Sequence, residues 1–271
     1  MPLSLRYLQG VQLADTLDVK TILRREDERQ AFTAFKGLMS DVSDQLDDLT
    51  LVRFLRADTG NLVKSEARLR STLAWRAARK VDSVLDSPPR HTELYNRLRI
   101  RRWMGHDPAG RPVQFERLGQ FFGSGNCRAF TKEEWLQATV WAMEDVMLKL
   151  RESSEKSSRV VMEYCFIADA TDYQLVNGAR TIPLLQMLTE EVECNYPEIA
   201  GCIVIMNMPA ALVSIFKNVV KPFMDPITAS KVELHSGVPL ERLRELLGVK
   251  TIHVIPTDPS TSTPQFTGLP V

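Results

Sequence analysis

Carboxylates in close pairs, histidines beside acids and glycine-rich turns are the groups that could do chemistry, and this chain offers few of them. Asp169 and Asp172 follow an apolar run and could serve as an acid and base pair. Aspartates at a strand end are, however, more often turn formers. His91, His106, His235 and His253 are scattered, with no HExxH helix signature and no GxSxG elbow ahead of a helix. The run Gly119-Gln120-Phe121-Phe122-Gly123-Ser124-Gly125 has neither a Walker lysine nor a GxGxxG between strand and helix, which argues against a nucleotide site. The four cysteines, Cys127, Cys165, Cys194 and Cys202, show no CxxC spacing and read as reduced, buried thiols. Tyr164 could ligate haem iron, but no histidine accompanies it on its strand. No metal, cofactor or catalytic set is expected, and the chain reads as a binding protein and not an enzyme.

A binding surface needs an apolar wall and something to close it, and both are legible between Tyr196 and Gly237. Ile203-Val204-Ile205-Met206 is an unbroken apolar run of the kind a parallel strand covered on both faces requires. Pro209 opens a segment running to Phe223 in which Ser214, Lys217, Asn218 and Lys221 form one narrow polar stripe at helical spacing. Leu212, Val213, Ile215, Phe216, Val219, Val220 and Phe223 fill the rest of the circumference. At about 1.5 Å per residue such a helix spans roughly 22 Å, too short for a bilayer core of about 30 Å. Two readings stay open: a core helix of an α/β domain, or a lid over an apolar cavity that can also touch a membrane surface.

The punctuation of this stretch resembles the CRAL-TRIO lipid-binding family, in particular its phosphatidylinositol-transfer branch. The matching residues are Tyr196-Pro197-Glu198 before the strand, Asn207-x-Pro209 after it, Lys221-Pro222-Phe223-Met224-Asp225-Pro226 closing the helix, and Thr228-x-x-Lys231 beyond. Gly105-x-Asp107-x-x-Gly110-Arg111-Pro112-Val113 followed by an apolar strand, and the LVRFLRA helix upstream, are similar to the family as well. The resemblance implies one bound phospholipid, phosphatidylinositol first, with Glu198 accepting from inositol hydroxyls, Lys231 meeting the phosphodiester and Thr228 at the matching threonine of the recognition set; the alternatives are a carrier of a non-phospholipid hydrophobic ligand or a protein-interaction scaffold without lipid exchange. It implies a pocket wall carrying Tyr164 and Phe166, and a gate helix presenting Leu212, Ile215, Phe216, Val219, Val220 and Phe223. Two departures stand out. Asp58 and Thr59 follow FLRA where the branch often has basic residues, and Tyr164 and Phe166 stand where small hydroxyl residues are linked to phosphatidylcholine.

Around this stretch the expected elements alternate. Phe32, Phe35 and Leu38 recur on an amphipathic helix between Arg24 and Met39, Asp47 and Asp48 open a second helix from Leu49 to Ala57, and Asn61 caps a third through Arg79. Ser87-Pro88-Pro89 marks a break. Arg97, Arg99, Arg101 and Arg102 then form a basic cluster, either a solvated edge or a surface for anionic headgroups. A turn at residues 105–112, a strand at 113–116, a helix from Thr131 to Leu150 with Leu136, Val140, Met143, Met147 and Leu150 on one face, a strand from Val160 to Asp169 and a helix carrying Ile182, Leu185, Leu188 and Val192 follow. The expectation is an α/β fold: a mainly parallel sheet covered by helices, preceded by an N-terminal helical bundle. The boundaries read as 1–86 for the arm and helices, 90–256 for the lipid-binding region and 257–271 for a disordered tail.

Composition sets further bounds. The 271 residues balance 34 Lys and Arg against 34 Asp and Glu, so no global field favours nucleic acid. With no long apolar run and no signal-like N-terminus, the reading is a cytoplasmic monomer whose contact with membranes is transient.

Overall fold

The computed structural model describes residues 19–23, 25–123, 130–173, 186–188, 190–224, 226–248, 253–254 and 266–267. The described helices used below are α1 (Glu26–Leu38), α2 (Asp48–Ala57), α3 (Leu62–Arg79), α4 (Thr92–Arg99), α5 (Leu118–Gly123), α6 (Lys132–Ser157), α7 (Ala210–Ile215), α8 (Pro226–Ser230) and α9 (Leu240–Leu247). The strands are β1 (Arg102–His106), β2 (Pro112–Arg117), β3 (Tyr164–Asp169), β4 (Ala200–Met206), β5 (Val232–Leu234), β6 (His253–Val254) and β7 (Phe266–Thr267). Packing divides the chain into two compact units, one of Met1–Thr92, Glu133–Glu163 and Met187–Ile199, the other of Glu93–Lys132, Tyr164–Gln186 and Ala200–Val271.

Short-range capping explains where the first helices begin. Asp47 accepts from the Thr50 amide at 2.6 Å and Asn61 from the Lys64 amide at 3.1 Å, each satisfying one of the unpaired donors at a helix start. Between α2 and α3 the chain reverses through Thr59 and Gly60, both at positive φ, and the Gly60 amide donates to Leu55 O at 2.8 Å. Phe35, Met39, Leu51, Phe54, Leu55 and Leu69 then form one apolar core. Leu38, expected on the buried side, is 44% exposed, because a spacing of six drifts off a face whose period is 3.6.

The long helix α6 packs within this helical unit. Its Leu136, Val140, Met147 and Leu150 are buried as expected, and so is a carboxylate that periodicity does not reveal. Glu144, 1% exposed, accepts from Arg76 Nη1 at 2.7 Å and Nη2 at 3.1 Å and from the Tyr196 hydroxyl at 2.7 Å. Asp82 accepts from the same guanidinium at 2.7 and 2.9 Å. Burial opposes the charge on Arg76, but Glu144, with Tyr196 and Asp82, outweighs it and holds the group above the ordinary guanidinium range.

In the other unit the sheet runs β1-β2-β3-β4-β5, with β1 and β2 antiparallel and the remaining pairs parallel. The β1–β2 turn is fixed by Asp107, whose carboxylate accepts from the Arg111 amide at 2.8 Å and its Nε at 2.7 Å, with Gly110 at positive φ. Gly119 opens the next helix for a packing reason: a Cβ there would lie 1.8 Å from Thr171 O. One face of the sheet places Val113, Phe115, Cys165, Ile167, Cys202, Val204 and Met206 against Leu243, Leu246 and Leu247 of α9.

Several expectations need correction. The Arg101 side chain is buried and that of Arg99 nearly so, so the basic cluster is not a solvated edge at these two positions, where each guanidinium turns to a buried carboxylate. Cys194 is exposed, since it lies on a polar helical turn and not in a strand; Cys165 and Cys202 are buried thiols, and Cys127 lies outside the described residues. Within the segment read as a disordered tail, Phe266–Thr267 pairs antiparallel with His253–Val254. Ile182 and Leu185 lie outside the described residues, whereas Leu188 is buried and Val192 half-buried on the helical stretch before Tyr196.

Glu144 offers a direct test of the helical unit. Glu144→Gln keeps the shape but strips Arg76 of its buried anion, and breaking such a pair costs about 3–5 kcal/mol. Chemical denaturation should show that loss; a change below about 1 kcal/mol would mean that Asp82 alone suffices.

Candidate functional site

The face of the sheet opposite α9 is built in two registered rows. Gln114, Phe166, Ile203 and Val232 form one, and Glu116, Ala168, Ile205 and Leu234 the other. Tyr164 precedes Phe166 on the same side, with ring centroids 6.4 Å apart. Strand β4 shows the contrast between the two faces: Cys202, Val204 and Met206 are buried, whereas Ile203 and Ile205 are only half-buried. Phe166, Val232 and Leu234 are half-buried as well. The apolar run of β4 therefore does not mean that protein covers both faces to the same depth, as its pattern suggested. An apolar wall remains, and it grades into polar groups toward β2.

The segment after β4 is helical over the expected length but changes its winding. Pro209 precedes α7, the backbone widens to a π-helix over Phe216–Val220, and it tightens to a 3-10 turn at Lys221–Phe223. Pro222 has no amide to donate and its ring crowds the carbonyl one turn back, so the wider turn before it relieves the clash. Ser214, Lys217, Asn218 and Lys221 are exposed, which keeps the polar stripe; Leu212 is buried, and Val213 and Phe216 are half-buried. The side chains of Ile215, Val219, Val220 and Phe223 lie outside the described residues.

The Tyr196-Pro197-Glu198 turn is held inside the helical unit. Glu198 adopts positive φ, uncommon for a residue with a side chain, and Arg53 Nη1 donates to its carbonyl at 2.7 Å. Arg53, 2% exposed, is one of the largest fully buried side chains. Thr72 Oγ1 donates to Asn195 at 3.1 Å, and Trp75 meets Tyr196 edge-on at 6.0 Å. Thus Arg53, not marked out by any sequence signal beyond the LVRFLRA resemblance, fixes the backbone from which Glu198 projects.

Thr228 and Lys231 fall in the sheet unit, so the residues carried over from the resemblance are divided between the two units. Thr228 is half-buried on α8, and Lys231 Nζ donates to Ala200 O at 2.7 Å. Asp58 is engaged by Arg68 at 3.0 Å, so the position after FLRA serves an ion pair of the helical unit. Asp169 is a turn former. One of its oxygens accepts from the Thr171 amide at 2.9 Å, the Thr171 hydroxyl at 2.6 Å and Asn207 Nδ2 at 2.9 Å, while Asp172 pairs with Arg117 at 3.3 Å. Asn207 itself sits at positive φ, which accounts for the Asn207-x-Pro209 spacing after β4.

The polar end of this face was not anticipated. Glu116, 3% exposed, pairs with Arg99 and lies 3.5 Å from Arg101 Nε. The Arg99 guanidinium stands 4.8 Å from the centre of the Tyr95 ring, and that of Arg101 5.4 Å from Trp103. Burial, with Arg101 alongside, lowers the pKa of Arg99 against the pull of Glu116. Burial, then the Glu116 carboxylate, raises Tyr164 well above the ordinary phenol range.

Among the described residues no group of three or more His, Cys, Asp and Glu could hold a metal ion, and no helix is long and apolar enough to cross a membrane. The model of the CRAL/TRIO domain matches residues 97–253. The chain is similar to the CRAL-TRIO domain-containing protein YKL091C of Saccharomyces cerevisiae, 25% identical over 86% of this chain and 81% of the relative. It is similar to the SEC14 cytosolic factor of Kluyveromyces lactis, 28% identical over 79% of this chain and 75% of that one. Protein real-time of Anopheles gambiae is 29% identical over 69% of this chain, which spans only 27% of that relative's length, and the Aedes aegypti counterpart is spanned over 33% of its length. The crystal structure of Sfh5 matches the fold with a TM-score of 0.63 at 15% identity, over 79% of this chain and 81% of that one. With more than half of its residues matched by the family model, and with a mainly parallel sheet and N-terminal helices of the expected order, the chain belongs to the CRAL/TRIO domain family.

Proposed function

We propose that the chain carries one hydrophobic lipid at a time on the half-covered face of its sheet and transfers or presents it between membranes. The observation that supports this most directly is the asymmetry of the sheet, packed to burial against α9 but half-open where Phe166, Ile203, Ile205, Val232 and Leu234 stand in register. Acyl chains on such a wall leave water at a gain of roughly 0.8 kcal/mol per CH₂. The similarity to SEC14 cytosolic factors favours the same reading. In it the chain works as a cytoplasmic monomer that touches a membrane only while its gate is open.

The lipid proposed is phosphatidylinositol. Glu198 would accept from ring hydroxyls and Lys231 and Thr228 would meet the phosphodiester, an assignment supported by the shared motif residues and by the chemistry of an ammonium and a carboxylate. In the structure Lys231 donates to a neutral carbonyl, and exchange for a phosphate oxygen gives it a stronger, charge-assisted partner.

Native mass spectrometry of the chain purified from a eukaryotic host should show a bound lipid, and a chain that is active in exchange while carrying none would overturn the reading. Lys231→Ala should weaken phosphatidylinositol binding about tenfold or more, since a hydrogen bond to a charged group contributes about 1.5–3 kcal/mol. Binding of a matched neutral lipid should not change. Equal losses for both lipids would remove the inositol assignment and leave the apolar wall standing.

The Pro209–Phe223 segment is the gate in this reading, because its polar stripe faces solvent and its winding changes midway. Phe216→Asp should leave the thermal midpoint nearly unchanged and abolish liposome-dependent exchange. Exchange at the unaltered rate in a folded variant would show that this segment does not open.

A further inference from the structure

The link between the 3-10 turn at Val81–Ser83 and α4 holds Ser87-Pro88-Pro89-Arg90, a run to which the lipid-binding reading gives no role. Neither helix nor strand covers residues 84–91. Ser87, Pro88 and Arg90 are exposed, and Pro89 is half-buried. The Ser87 amide donates to Ser83 O at 2.9 Å and the Thr92 amide to Pro89 O at 2.9 Å, so short local bonds hold both ends of the run. Between them covalent constraint favours extended backbone. A proline fixes its own φ and drives the residue before it away from the helical region, which here applies to Ser87 and to Pro88. An exposed hydroxyl is thus carried on a length of chain that is extended in advance.

These residue types meet the demands of one class of enzyme. A kinase that acts on serine lays its substrate extended in a cleft, and proline directly after the serine suits a pocket that offers no acceptor for an amide, because proline has none to donate. A guanidinium three residues after the serine suits an anionic surface beyond that pocket. Ser87-Pro88 is the only Ser-Pro pair in the sequence, and the one Thr-Pro pair, Thr263-Pro264, has Phe266 where Ser87 has Arg90. Ser71 is exposed and follows Arg68 and Arg70, but it sits within α3, whose coiled backbone would have to unwind to lie in a cleft. Its arginines are also engaged, Arg68 with Asp58 and Arg70 with Asp41 and Glu66.

We infer that Ser87 is a phosphorylation site, read by a proline-directed kinase that also requires a basic residue three positions on. In the transfer, Ser87 Oγ forms a bond to the γ-phosphorus of ATP as the bond from that phosphorus to its bridging oxygen breaks. The hydroxyl proton passes to the catalytic aspartate of the kinase, and ADP leaves. The product adds about −1.5 to −2 charges at neutral pH to a chain whose basic and acidic residues balance. Arg90, exposed on the same link, then serves as a charge-assisted partner for the phosphate. The site lies in the helical unit and does not depend on the lipid-binding reading.

The test incubates the full chain with ATP, magnesium and a cyclin-dependent kinase, which requires the basic residue, and maps the product by mass spectrometry. One phosphate on Ser87 is expected, and Ser87→Ala should remove it. Arg90→Ala should slow the reaction about tenfold or more, the loss of one charge-assisted contact. A mitogen-activated kinase, which reads the proline and not the base, should be indifferent to Arg90→Ala, whereas Pro88→Ala should slow both enzymes. Because the link is exposed and extended, the folded chain should be modified at a rate close to that of a peptide spanning residues 81–93. If a variant fails to fold, the same substitution in that peptide carries the comparison. No phosphate on Ser87 of the folded chain, or phosphate at Thr263 instead, overturns the site. Modification of Ser87 by the first kinase at an unchanged rate in Arg90→Ala overturns the role of the arginine and with it the kinase class.

Discussion

The buried carboxylate of Glu144 is the constraint on which the helical unit depends. It sits on the inward side of α6, and a charge with so little access to water must find its partners within the protein. Arg76 reaches it from α3 and Tyr196 from the turn before β4, which ties three segments distant in sequence to one point. The apolar core of Phe35, Met39, Leu51, Phe54, Leu55 and Leu69 supplies the bulk of the stabilisation, but apolar packing alone tolerates many arrangements. A bidentate ion pair with a phenol on the same oxygen tolerates few, because it is satisfied only when α3, α6 and the turn take one register.

That register has a consequence for the turn itself. Tyr196 is anchored through its hydroxyl and its ring, Asn195 through Thr72, and the Glu198 carbonyl through Arg53. A residue with a side chain held at positive φ carries a conformational cost of about 1–3 kcal/mol and persists where its surroundings over-determine it. The contacts of Tyr196 and Asn195 and the Arg53 hydrogen bond provide that over-determination. Side chains with long-range partners therefore set the backbone of a turn whose own sequence says only that a turn exists.

What could be read from the chain in advance follows the range of the interactions. Asp47 and Asn61 were legible as caps because each bonds an amide three residues on, and the β1–β2 turn because Asp107 and Gly110 act within it. The apolar run of β4 was legible as a strand, yet the difference between its two faces was not, since Val204 and Ile205 are equally apolar in sequence and differ only in what lies opposite them. Arg99 and Arg101 looked like part of a basic surface because a local count cannot see Glu116, a strand away. The π turn at Phe216–Val220 was hidden for a related reason: the polar stripe is compatible with several windings, and only the proline downstream favours the wider one.

Two buried arginine networks among the described residues show the same constraint at work in each unit. Arg76 faces two carboxylates, Glu144 and Asp82, and its charge is met by protein groups alone; the residues around it serve to hold helices together. Arg99 and Arg101 share the Glu116 carboxylate in the sheet unit, beside the buried Gln114 and Tyr164. Protein dipoles add to the solvation of these guanidiniums, as the Tyr95 and Trp103 rings and the Gln114 amide do here, although each is a weaker partner than an anion. In both networks one buried carboxylate collects donors from separate segments, so the register of those segments is set by where the charge can be satisfied and not by apolar packing alone.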